Sequence, residues 1–185
     1  MIEKEKILTM EEKILIVEDD PNDAFFIENA FRHSGIKSKP HICTNSADAI
    51  FYLQARGQYA DRLRFPFPNL LVTDLKMPGG DGFELLRWLR DHPAMHVIPT
   101  IVISSSNRRD DVARAYSLGA NAYLCKPTDP THFRVVFADL LRFWTHCEVP
   151  ETPASDGGPE QCRKRMELEV IPGRVCEQAT HHSFD

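Results

Sequence analysis

Short apolar runs rich in β-branched residues alternate along this chain with segments whose apolar residues recur at helical spacing, and that alternation constrains the fold most. Lys13-Ile-Leu-Ile-Val17 is too short for a helix and apolar on both faces, so it reads as a strand buried on both sides. His41–Thr44, Leu70–Thr73, Thr100–Ile103 and Ala122–Cys125 repeat the signal. Between them lie helix patterns. Pro21 opens the first, with Ala24, Ile27 and Phe31 on one face and Gly35 as its stop. Ser46 is the expected cap of the second, which runs through Ile50, Phe51 and Leu53. The third packs through Phe83, Leu86 and Leu89, the fourth spans 110–118 with Gly119 as its stop, and the last runs from Pro130 to Cys147. The stretch 57–69 holds Pro66 and Pro68 and is expected to be a loop. Five strands alternating with five helices predict an α/β, doubly wound parallel sheet with helices on both faces.

The chain's 185 residues suffice for one domain with a core and a tail. We expect an N-terminal lead-in over 1–11, a folded domain over 12–148 and a flexible tail over 149–185. The lead-in carries Glu5-Lys6-Ile7-Leu8, echoed by Glu12-Lys13-Ile14-Leu15. Residues 151–159 are rich in Pro, Gly, Ser, Thr and acids; Met166, Leu168 and Val170 then alternate with charge, a pattern open to a short extra strand but with too little apolar surface to fold alone, so that disorder is the favoured reading. A net charge of −5 leaves no basic footprint for nucleic acid, and nothing after residue 150 is long or basic enough for a helix-turn-helix. No apolar run approaches the ~20 residues of a membrane span, and the charged N-terminus lacks a secretory core, so a cytoplasmic location is expected. Five cysteines without C-x-x-C spacing argue against zinc or disulfides and for reduced thiols, two or three of them buried.

In a doubly wound sheet, ligands bind at the carboxyl ends of the strands. Those ends carry Glu18, Asp19 and Asp20 after the first strand, Asp74 after the third, Ser104 after the fourth and Lys126 after the fifth. Clustered carboxylates repel unless a cation joins them, and a hard all-oxygen set suits Mg²⁺ or Mn²⁺. A carboxylate nucleophile, a metal site, a hydroxyl and an ammonium are the parts of phosphoryl transfer, which is mostly positioning and charge neutralisation. Taken singly each has a plain reading: an acid at a strand end as a helix cap, Lys126-Pro127 as a turn, Ser104 as a loop residue. Four strand ends supplying complementary groups together favour the chemical reading.

Ile-Leu-Ile-Val-Glu-Asp-Asp (14–20), Thr-Asp-Leu-Lys-Met-Pro-Gly-Gly-Asp-Gly (73–82), Ile-Ser-Ser-Ser (103–106) and Leu-Gly-Ala-Asn-Ala-Tyr-Leu-Cys-Lys-Pro (118–127) resemble the receiver domain of two-component response regulators in order and spacing. The resemblance implies a flavodoxin-like sheet of order 2-1-3-4-5. It implies Asp74 as the phosphoacceptor for a sensor histidine kinase, and a metal site of Glu18, Asp19, Asp74 and the Lys76 backbone carbonyl. Ser104 and Lys126 would bind the phosphoryl group, across a cis Lys126–Pro127 bond. Tyr123 would be the aromatic switch, Lys76 and Ser106 would tune dephosphorylation, and Asp20 would start the helix. Ser104 departs mildly from the family, which more often has threonine there. The implied protein is a phosphorylation switch or phosphorelay shuttle, not an enzyme beyond its own phosphorylation and dephosphorylation. A degenerate scaffold and an aspartate-nucleophile phosphatase remain as alternatives, although Lys76 stands where such phosphatases place a second acid. Residues 17–24, the long loop before the third strand and a last helix ending in Phe143-Trp144 are similar to regulators paired with bacterial phytochromes. The apolar residues of that helix wrap wider than one buried stripe needs, so Phe143 and Trp144 are candidates for a homodimer interface.

Overall fold

The computed structural model describes residues 13–34, 38–78, 80–127, 129–144 and 146–147. The lead-in, the Gly35 stop, Cys162, Cys176 and the 149–185 tail, with its Met166–Val170 stretch, lie outside the described residues.

The elements in order are β1 (Ile14–Val17), α1 (Pro21–Ser34), β2 (His41–Cys43), α2 (Ser46–Leu53), a 3₁₀ turn (Gly57–Tyr59), β3 (Leu70–Thr73), β4 (Lys76–Met77), β5 (Gly80–Asp81), α3 (Gly82–Asp91), α4 (Pro93–His96), β6 (Thr100–Ser104), α5 (Arg109–Ser117), β7 (Ala122–Cys125) and α6 (Pro130–Trp144). The main sheet is parallel with order β2-β1-β3-β6-β7, the expected 2-1-3-4-5 once the small β4–β5 hairpin is set aside. Period-two alternation sends neighbouring residues to opposite layers. Ile14, Ile16, Leu70, Val72, Ile101 and Ile103 meet Ile27 and Phe31 of α1 and Phe133, Phe137 and Leu141 of α6. Leu15, Val17 and Leu71 pack with α2 and α3, while Val102 joins Phe83 and Ala115.

Register fixes the site. Val17 pairs with Thr73, so Glu18 and Asp74 leave the sheet side by side, with the Asp74 N–H donating to the Val17 carbonyl at 2.9 Å. Ser104 pairs with Cys125, and the Lys126 N–H donates to the Ser104 carbonyl at 2.8 Å. At the end of α5, Gly119 takes φ +96, where an L side chain is strained, and Ala120 N–H bonds back to Ala115.

Several local expectations are corrected. Asn45, not Ser46, caps α2: its Oδ1 accepts from the Asp48 N–H at 2.8 Å, while the Ser46 hydroxyl donates to the Asp81 carbonyl. The Lys126–Pro127 bond is trans, since no peptide among the described residues is cis; trans is the lower-energy isomer, and from it the lysine already reaches its carboxylates. Among the described cysteines, Cys43 is buried, Cys147 is half-buried and Cys125 is exposed on the edge strand β7, while Cys162 and Cys176, which the expected count includes, lie outside the described residues. On α6, Phe143 is 63% exposed, but Trp144 folds back against the α1/α6 layer and leaves the proposed patch.

Candidate functional site

Four carboxylates and one ammonium meet at the carboxyl end of the sheet. Glu18 and Asp74 are buried directly after β1 and β3, and Asp19 is half-buried beside them. One oxygen from each lies within 4.8 Å of the others. Lys126 reaches in from the end of β7. Its Nζ donates to Glu18 Oε2 at 2.8 Å, Asp23 Oδ2 at 2.7 Å and Asp74 Oδ2 at 2.7 Å. The other Asp74 oxygen accepts from the N–H groups of Leu75 and Lys76. That carboxylate is thus held at both ends by donors.

The electrostatics record a surplus of negative charge. Burial pushes the Glu18 carboxyl up to about 7, and neighbouring Asp74 pushes the same way, against the hydrogen bond and charge of Lys126. Burial opposes the Lys126 charge, but hydrogen bonds to Asp23, Asp74 and Glu18 outweigh it and hold the ammonium above the ordinary lysine range. One lysine does not balance Glu18, Asp19, Asp23 and Asp74. The cluster offers only oxygens, so the donor set fits a hard divalent cation, Mg²⁺ or Mn²⁺.

A glycine lets the acidic loop close. A Cβ at Gly82 would stand 2.1 Å from the Asp74 carbonyl oxygen, so α3 can start against that peptide only without a side chain. The Gly82 N–H donates to Leu75 at 3.0 Å, and the β4–β5 hairpin, Lys76 opposite Asp81, fills the span between.

On the far side stands the Ser104–Ser106 segment. Ser104 is fully buried, and its Oγ accepts from the Ser106 N–H at 3.3 Å. The Tyr123 hydroxyl donates to the Ser106 carbonyl at 2.8 Å, while the Ser106 hydroxyl donates to Asp111 of α5. Ser104 and the acceptor of Tyr123 therefore sit on one three-residue segment. Lys76 is exposed, and Asp20 accepts from the Asn22 N–H at the start of α1, as a helix-start residue should.

Glu18, Asp19, Asp74 and Lys126 are thus brought together, with Ser104 on the neighbouring strand end. Sequence reasoning missed Asp23. Its signal was the one-turn spacing from Asp19, which puts it on the first turn of α1 facing the same strand ends, but an acid there is also what any helix start favours.

A family model described as the response regulator receiver domain matches residues 14–137. Response regulator Rcp1 from Synechocystis sp. is 31% identical over 131 residues, covering 71% of this chain and 87% of Rcp1. The crystal structure of the phosphorylated cyanobacterial phytochrome response regulator RcpA superposes with a TM-score of 0.71 at 28% identity, over 76% of this chain and 99% of that one. The Mn²⁺-bound form of Rcp1 gives 0.70 at 30%, over 76% and 99%.

Proposed function

The chain belongs to the response regulator receiver family, whose members are not conventional enzymes, and we propose that it accepts a phosphoryl group from a sensor histidine kinase onto Asp74 as a phosphorylation-dependent switch or phosphorelay shuttle. The observation that carries this reading is Lys126 Nζ lying 2.7 Å from one oxygen of a buried Asp74 inside an acidic cluster. In the reaction a carboxylate oxygen of Asp74 attacks phosphorus. The bond from phosphorus to the donor's histidine nitrogen breaks, and that nitrogen keeps the electron pair and takes a proton from water. Lys126 moves its N–H from the carboxylate to a phosphoryl oxygen, and the Ser104 hydroxyl turns to donate to another. A bound Mg²⁺, held by Glu18, Asp19, Asp74 and the Lys76 carbonyl, would supply neutralisation of the remaining phosphoryl charge. A Ser104 hydroxyl that turns away gives up the Ser106 N–H, and the Ser106 carbonyl is what holds the Tyr123 hydroxyl, which supports Tyr123 as the switch.

The likeness to a phytochrome response regulator and to Rcp1 supports a phytochrome histidine kinase as the phosphodonor. Among the described residues no helix is long and apolar enough to cross a membrane. The test is labelling by a phosphorylated kinase or by acetyl phosphate. Wild type should take a hydroxylamine-sensitive label and Asp74→Asn none. A label that persists in Asp74→Asn and resists hydroxylamine would move the acceptor elsewhere, and an unlabelled wild type would favour a scaffold.

A further inference from the structure

An ammonium has three N–H groups, and those of Lys126 are all committed: to Glu18 Oε2, Asp23 Oδ2 and Asp74 Oδ2, at 2.8, 2.7 and 2.7 Å. A phosphoryl oxygen can therefore reach this ammonium only by exchange. Glu18 and Asp74 belong to the group of oxygens within 4.8 Å that fits a cation, so each has a second role once the site is filled. Asp23 stands outside that group, on the first turn of α1, with its side chain 35% exposed. The helix start does not require its reach, because Asp20 already accepts the Asn22 N–H there. Asp23 instead crosses to a residue 103 positions away in sequence.

We propose that Asp23 is a positioning residue that holds Lys126 in a resting arrangement and thereby slows phosphorylation of Asp74; this rests on the phosphoacceptor reading above. The Asp23 carboxylate competes with the incoming phosphoryl oxygen for the same N–H. It also keeps a negative charge beside an anionic donor. Its partial exposure lets water screen both effects, so Asp23 sets a rate and does not decide whether the reaction occurs.

The experiment measures the second-order rate constant for phosphorylation of the full chain by acetyl phosphate in saturating Mg²⁺. Asp23→Ala should raise it about two- to fivefold, the range a partly exposed ion pair supports. Asp23→Asn should raise it less, because its amide oxygen still accepts from Lys126 without a charge, and Asp23→Glu should return it towards wild type. In a Lys126→Ala background the rise from Asp23→Ala should be diminished, since the competition for the lysine is gone and only the screened repulsion of the donor is left. A merely structural residue would shift the melting temperature and leave this pattern of rates absent. Unchanged or slower phosphorylation in both Asp23→Ala and Asp23→Asn overturns the proposal, as does an undiminished rise in the Lys126→Ala background. If Asp23→Ala does not fold, the isosteric Asp23→Asn carries the comparison. A wild-type protein that takes no label removes the phosphoacceptor reading itself, an outcome that no Asp23 variant can produce.

Discussion

The acidic pocket and the 57–69 loop are both stretches of polar backbone hung on the sheet, and they handle their polar groups in opposite ways. In the loop the polar groups find neutral or singly charged partners and an aromatic surround. Tyr52 OH donates to the Pro66 carbonyl at 2.7 Å, Tyr59 OH donates to the Asp48 carboxylate, and Arg62 donates to the carbonyls of Leu53 and Phe65. His41, Tyr52, Tyr59 and Phe65 stack or meet edge to face around them. Burial pushes the Tyr52 hydroxyl up to about 12 and the Tyr59 hydroxyl further, so both stay neutral donors. In the pocket three carboxylates share one ammonium, and a fourth, Asp19, stands beside them. The region that only has to hold its shape pairs its hydroxyls and its guanidinium and leaves a neutral group, His41 Nε2, buried without a partner, whereas the region that must take in an anion and a cation leaves charges unbalanced.

The largest effect should come where the pocket depends on backbone. Gly82→Ala forces a methyl into the Asp74 carbonyl and should cost on the order of 3 kcal/mol in chemical denaturation, with loss of phosphorylation, since the acidic loop must move. Wild-type stability in that variant would show that the loop gives way freely. Next, a cation should stabilise the unbalanced region: Mg²⁺ at tenfold its Kd should add about 1.4 kcal/mol, and Asp19→Ala should abolish most of that gain. A thermal shift of equal size in Asp19→Ala would place the ion elsewhere. Tyr52→Phe should then separate the two regions. It leaves the Pro66 carbonyl without its donor and should cost about 1 kcal/mol, while the phosphorylation rate stays at the wild-type value. A changed rate would mean that the loop and the pocket are coupled.

The smallest effect concerns pH. Burial lowers the His41 pKa from its ordinary 6.5, against a weaker opposing pull from Asp48. The neutral ring is the form the fold accepts, so its contribution is complete above about 6.5 and is lost as pH falls through the lowered value. Between about pH 7.5 and about pH 5.5, wild type should lose more stability than His41→Gln in urea titrations. Equal losses would show that the aromatic surround tolerates the imidazolium.

What the sequence made legible follows from how local each signal is. Ile14–Val17 and Leu70–Thr73 announce strands by composition, and the sheet order then brings Glu18, Asp19 and Asp74 together. Local ambiguity produced the misses. Asn45 and Ser46 are both good caps, and only the backbone shows Asn45 outside the helix. Pro93–His96 is a single turn, too short for a periodicity to appear. Trp144 looked exposed because helical spacing says which face a residue takes, not whether a long ring bends back to the core. Asp23 was hidden because its role lies in a lysine that arrives from the other end of the domain.

The packing of α1 on α6 also has a consequence in time. Phe31 meets Phe137 edge to face at 5.6 Å, so α1 and α6 complete one layer together. A ribosome moving at roughly 5–20 residues per second makes Phe31 on the order of 5–20 s before its partner. During that interval Ile27, Phe31 and the outward residues of β1 and β3 have no cover from α6. The nascent chain therefore carries an open apolar layer until α6 emerges, a natural foothold for a chaperone.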